Sequence, residues 1–113
     1  MRKLILLSIL ATLSFALEKD YQIKLCNQLG GIMEYRLRDG SRVDCLTDKY
    51  AIEVEFSKKW KEAIGQSLYY GIETGKQPAI AVIVNGHDDN YLKRLEAVTS
   101  KYDIKVFYIK KQN

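Results

Sequence analysis

Hydrophobic and polar positions change their period along this chain, and each change marks an element. Residues 17–29 carry helical character, and Gly30-Gly31 stops the helix. Ile32–Leu37 can form a strand, followed by Arg38-Asp39-Gly40-Ser41, a turn whose central Asp-Gly is a strong hairpin signal. Arg42–Leu46 reads as a second strand. Tyr50–Phe56 reads as a third, with Ile52, Val54 and Phe56 alternating against Ala51, Glu53 and Glu55. Ser57 is a good N-cap for a helix from Lys58 to Thr74, closed by Gly75. Ala79–Val84, just after Pro78, is a continuous apolar run that predicts a buried strand. Asn85–Asp89 is a loop, and Asp89 or Asn90 caps a helix over Asn90–Tyr102 with Leu92, Leu95, Val98 and Tyr102 on one stripe. Ile104–Ile109 is a last strand. The order α-β-β-β-α-β-α-β predicts an α/β fold, a mixed sheet with helices on both faces.

The first 16 residues have a different character. Arg2 and Lys3 precede an uncharged, mostly apolar run of 13 residues, Leu4–Ala16, with small residues Ser14 and Ala16 at the −3 and −1 positions before Leu17. This predicts a secretory signal peptide over 1–16 and a single domain over 17–113, periplasmic or secreted. The run is shorter than the roughly 20 residues of a membrane span, so no stable membrane association is expected after cleavage. Removing Arg2 and Lys3 leaves 16 basic against 14 acidic residues, so the remaining chain is only mildly basic. Its basic residues cluster as Lys58-Lys59-Lys61 and Lys105-Lys110-Lys111, which reads as solvated surface and a frayed tail. Two cysteines in an exported domain favour a disulfide between Cys26, on the first helix, and Cys45, on the second strand. Two Cys and one distant His make a zinc site a poor fit.

The candidate chemistry lies on the second and third strands. If they form a hairpin turning at Asp48-Lys49, with Thr47 opposite Tyr50, then Cys45 faces Ile52, Asp44 faces Glu53 and Val43 faces Val54. One sheet face is then apolar, and the other carries Asp44, Glu53 and Glu55. A one-residue slip would drive the acids into the core. Like charges opposite one another repel and raise each other's pKa unless a cation neutralises them. Oxygen ligands of this kind suit Mg2+, Mn2+ or Ca2+, which activate water and stabilise charge on a phosphate. The plainer reading is an acidic, solvent-exposed sheet face, which antiparallel sheets often have.

An α-β-β-β-α-β core with Asp44 on one strand and Glu53-x-Glu55 on the next resembles the PD-(D/E)xK nuclease superfamily, the restriction-endonuclease-like fold. Asp44 matches the family's metal-binding Asp, and Glu53 the first acid of its (D/E)xK element. Glu55 occupies the family's lysine position, a departure shared with some restriction enzymes of the family. Gln66 and Tyr70, at i and i+4 on one helix face, match the Gln-x-x-x-Tyr element of the RecB-like branch. Lys59, seven residues before Gln66, could supply the missing cation; Lys58 is less well aligned, and both could instead face phosphate or solvent. Glu34 is a further ligand or simply exposed. His87 belongs to a turn, and Trp60 to helix packing.

The resemblance implies a Mg2+- or Mn2+-dependent nuclease acting on DNA or RNA without sequence specificity. Asp44, Glu53 and Glu55 would hold the metal, Lys59 would join them in catalysis, and Gln66 and Tyr70 would bind substrate. Dimerisation would extend the DNA surface, as in many small members of the superfamily. The alternative is an inert nuclease-fold protein serving as an exported binding module, its lysine lost along with its activity.

Overall fold

Two glycines set the entry to the sheet. In the computed structural model, which describes residues 17–112, helix α1 covers residues 17–29. Gly30 then takes the left-handed conformation, φ 66°. Gly31 lies so close to the Cys26–Cys45 disulfide that a Cβ there would sit 2.5 Å from the Cys45 Sγ. Strands β1 (Ile32–Arg36), β2 (Arg42–Leu46) and β3 (Tyr50–Phe56) follow as an antiparallel meander. A short 3-10 turn, Ser57–Lys59, leads into α2 (Trp60–Thr74), which ends at Gly75 in the left-handed conformation, φ 71°. Strand β4 (Gln77–Val84) pairs parallel to β3, α3 spans Asp89–Thr99, and β5 (Lys105–Lys110) pairs parallel to β4. The result is a five-stranded mixed sheet in the order β1-β2-β3-β4-β5. The expected signal peptide, 1–16, lies outside the described residues. No described helix is long and apolar enough to cross a membrane.

The two faces of β3 and β4 explain the layers. Ile52 and Val54 join Ala79, Ala81 and Ile83 in a core covered by Tyr21, Leu25 and Cys26 of α1. The opposite residues of β4, Ile80 and Val82, pack beneath Ala63 of α2 and Leu95 of α3, with Trp60 alongside. Five consecutive residues of β4, Ala79–Ile83, are buried, as expected of a central strand covered on both sides.

Several expectations need correction. Ser57 does not cap a helix: it lies inside the 3-10 turn and donates its hydroxyl to Asp88. Asp88 also accepts the Asn85 N–H at 2.8 Å, so it organises the loop before α3; neither Asp89 nor Asn90 caps that helix. Helix α3 stops at Thr99, and Tyr102, placed by its spacing on the apolar stripe, is 62% exposed in the following turn. The basic tail is not frayed: β5 runs to Lys110, and the Lys111 N–H donates to the Val84 carbonyl at 2.8 Å.

Candidate functional site

The expected register of β2 and β3 is present where they begin to pair: Cys45 faces Ile52 and Leu46 faces Ala51. Beyond that point the two strands part. In a continued ladder the N–H of Val54 would meet a backbone carbonyl of β2. Instead it donates to Asp44 Oδ2 at 2.8 Å. The pairing of Val43 with Val54 is therefore absent, and Val43 joins Leu37, Ala51 and Tyr70 in a separate cluster. Strand β1 breaks at the matching place. Its ladder with β2 pairs Met33 with Cys45 and Tyr35 with Val43 but skips Glu34, which is left-handed at φ 54°.

Helix α1 fills the double kink. Gln22, buried beneath the sheet, donates its amide to the freed Asp44 carbonyl at 2.8 Å and to Glu34 Oε1 at 3.3 Å. Lys19 pairs with the same Glu34 carboxylate. Burial disfavours the Glu34 charge, but the bonds from Lys19 and Gln22 prevail and lower its pKa. The disulfide fastens α1 to β2 one residue from Asp44, with the two Cα atoms 5.7 Å apart.

The acids are not on a solvent-exposed face. Glu53 is 5% exposed and Glu55 8%. Burial first, and then the charges of Asp44, Glu55 and Glu18, push Glu53 up to about 10. Asp44 rises to about 6, chiefly by burial, although the Val54 N–H and a hydrogen bond with Glu53 favour its ionised form. Glu18, from the start of α1, rises to about 8 through burial and its contact with Glu55. At neutral pH Glu53 and Glu18 therefore favour the protonated form. Among the described residues, no three His, Cys, Asp or Glu side chains are gathered as a ready ligand set.

The other predicted residues divide. Tyr70 is 6% exposed, and its pKa is raised to about 12, first by burial and then by the charges of Glu53 and Asp44. Gln66 is exposed on α2. Lys59 does not share a helical stripe with Gln66, because α2 begins at Trp60 and Lys59 is its non-helical N-cap. It is nonetheless close enough for its charge to act on Glu18. His87 is exposed in a turn, its N–H donating to Asn85 Oδ1 at 3.2 Å. Glu18 and Gln22 escaped sequence reasoning. Their signal was the spacing Glu18, Gln22, Cys26, one helical stripe that the disulfide aims at β2.

The chain has relatives among KilA-N domain-containing proteins of Acanthamoeba polyphaga mimivirus. One is 33% identical over 87 residues, which cover 77% of this chain and 24% of that protein. A second is 36% identical over 90 residues, 79% of this chain and 35% of the relative. A third is 30% identical over 92 residues, 81% and 24% respectively. The chain thus spans about a quarter to about a third of the length of the curated relatives it matches. No family model matches it, and no solved structure does.

Proposed function

We propose that the protein is a metal-dependent phosphodiesterase acting on nucleic acid, a compact member of the PD-(D/E)xK superfamily. One observation carries the reading: carboxyls from three elements, Glu18 on α1, Asp44 on β2 and Glu53 and Glu55 on β3, converge where β2 and β3 part. The element order around them, β-β-β-α-β after α1, is the one the resemblance leads one to expect. The relatives are named for a KilA-N domain, a DNA-binding domain family, which is consistent with nucleic acid as the partner.

Carboxylate oxygens are the donor type that Mg2+ or Mn2+ takes, and these side chains would have to draw together to hold one, since no three are gathered as a ligand set among the described residues. Burial and neighbouring carboxylates raise Glu18 and Glu53, a penalty that a bound cation would relieve. Asp44, Glu53 and Glu55 would hold the ion. When bound, it would supply charge neutralisation for a phosphate and a more acidic water. The chain's own residues would do the rest. The Val54 N–H and Gln22 fix Asp44 through both its side chain and its carbonyl. Lys59, whose charge acts on Glu18, would meet a phosphate oxygen. Tyr70 walls the site on the α2 side, and Gln66 would contact the strand beyond it. The disulfide favours export to an oxidising compartment, where the substrate would be extracellular nucleic acid.

The second reading is an inert binding module. It is favoured by Glu55 at the lysine position and by the absence of a preformed ligand set among the described residues. Incubation of linear and circular DNA with the protein in Mg2+, Mn2+ or EDTA, beside Glu53→Ala, separates the two. Metal-dependent degradation that the substitution abolishes supports the nuclease. Intact DNA in every metal with well-folded protein supports the module.

A further inference from the structure

The fold brings together two basic clusters that lie far apart in the sequence. Lys58 and Lys59, in the turn after β3, and Lys111, just after β5, line one pocket of about 460 Å³. It sits beyond the C-terminal ends of the parallel strands β3 and β4, with Ile83 and Asn85 in its wall, the position where open α/β sheets bind ligands. Tyr91 of α3, half-buried, lines it as well. Asp88 is its one acidic residue, and that carboxylate is already engaged by the Ser57 hydroxyl and the Asn85 N–H. The pocket adjoins the acid cluster directly. Leu17 in its wall precedes Glu18, Phe56 follows Glu55, and Lys59 acts on Glu18.

Three ammonium groups around a pocket holding an aromatic side chain match a phosphate joined to a base, because cations track the backbone and a ring offers a stacking face to any base. We propose that this pocket holds the nucleotide next to the phosphate presented to the acid cluster. Lys58 and Lys111 contact its phosphate, and Tyr91 stacks on its base. This inference rests on nucleic acid being the substrate, yet it needs no cleavage to be tested.

The test is fluorescence anisotropy with a labelled 12-nucleotide single-stranded DNA at low salt in EDTA. The variants are Lys58→Ala/Lys111→Ala, an exposed and a half-buried lysine, and Tyr91→Leu, which keeps bulk but removes the aromatic ring. Each should weaken binding about tenfold or more with an unchanged melting temperature. The double lysine variant should also flatten the slope of log K against log salt by about 1.4, the release expected from two single-strand phosphate contacts. Wild-type affinity in both variants overturns the proposal, as does a wild-type protein that does not bind the oligonucleotide. Cleavage by wild type with unaltered binding by the pocket variants would sink the pocket and leave the nuclease standing. Binding lost in the variants, with no cleavage by wild type in any metal, would do the reverse.

Discussion

Glu53→Gln should make the metal-free protein more stable at pH 8, an unusual sign for a change at a buried, hydrogen-bonded position. Glu53 is pushed from 4.5 up to about 10, first by burial and then by Asp44, Glu55 and Glu18. A carboxyl with a raised folded-state pKa gives up its proton more readily in the unfolded chain. Its effect on stability is therefore absent below pH 4.5 and becomes a growing loss as the pH rises towards 10. At pH 8 the full shift would cost about 5 kcal/mol, and at pH 5 less than about 1 kcal/mol. Water entry and rotation of the side chains let the carboxyls separate, so about 2 kcal/mol is expected at pH 8. Glutamine keeps the shape and stays neutral at every pH, and its amide can donate to Asp44. For a domain of this size about 2 kcal/mol corresponds to a rise of roughly 10 °C in Tm. Thermal unfolding followed by circular dichroism in EDTA, at pH 5 and pH 8, measures both arms. If Glu53 holds the ion as proposed, added Mg2+ should stabilise wild type and narrow the gap. Equal or lower stability of Glu53→Gln at pH 8 would refute the picture of a strained acid cluster.

Asp44 should behave in the opposite way. Asp44→Ala strands the Val54 N–H and should cost about 1–3 kcal/mol in urea unfolding, whereas Asp44→Asn keeps an acceptor and should stay within about 1 kcal/mol of wild type. Reducing the Cys26–Cys45 bond, which closes a loop with a sequence separation of 19, should lower stability by about 3 kcal/mol, read from denaturation with and without dithiothreitol. Gly31→Ala puts a Cβ 2.5 Å from the Cys45 sulfur and should either cost about 1–3 kcal/mol or leave free thiols detectable by a thiol-reactive dye.

Features encoded locally were legible in the sequence. Alternation in Tyr50–Phe56, the unbroken apolar run Ala79–Val84 and the Asp-Gly turn correctly located the strands and the mixed sheet. The β2–β3 register was legible as far as Cys45, because it groups Cys45 with Ile52 and Val54 on one apolar face. Features that depend on tertiary contacts were not legible. No residue type announces the left-handed Glu34, whose conformation is held by Lys19 and Gln22 from a different element. Ser57 has the chemistry of an N-cap, but its hydroxyl goes to Asp88, 31 residues away. Tyr102 has the right helical spacing, but α3 ends before reaching it.

The missed Glu18 shows how one correct sequence inference can be extended. Once Cys26 is paired with Cys45, the α1 stripe facing β2 is fixed, and helical periodicity places Gln22 and Glu18 one and two turns before Cys26. Strand β3 runs antiparallel to β2, so Glu53 and Glu55 lie beyond Ile52, which faces Cys45. Those two turns of helix, about 6 Å each way per four residues, reach the acids on β3. The disulfide thus acts as a ruler as well as a staple: Gln22 meets Asp44, and Glu18 meets Glu55. An apolar residue at position 18 would remove one of the charges that raise Glu53; its being a glutamate adds a fourth carboxyl to the buried cluster.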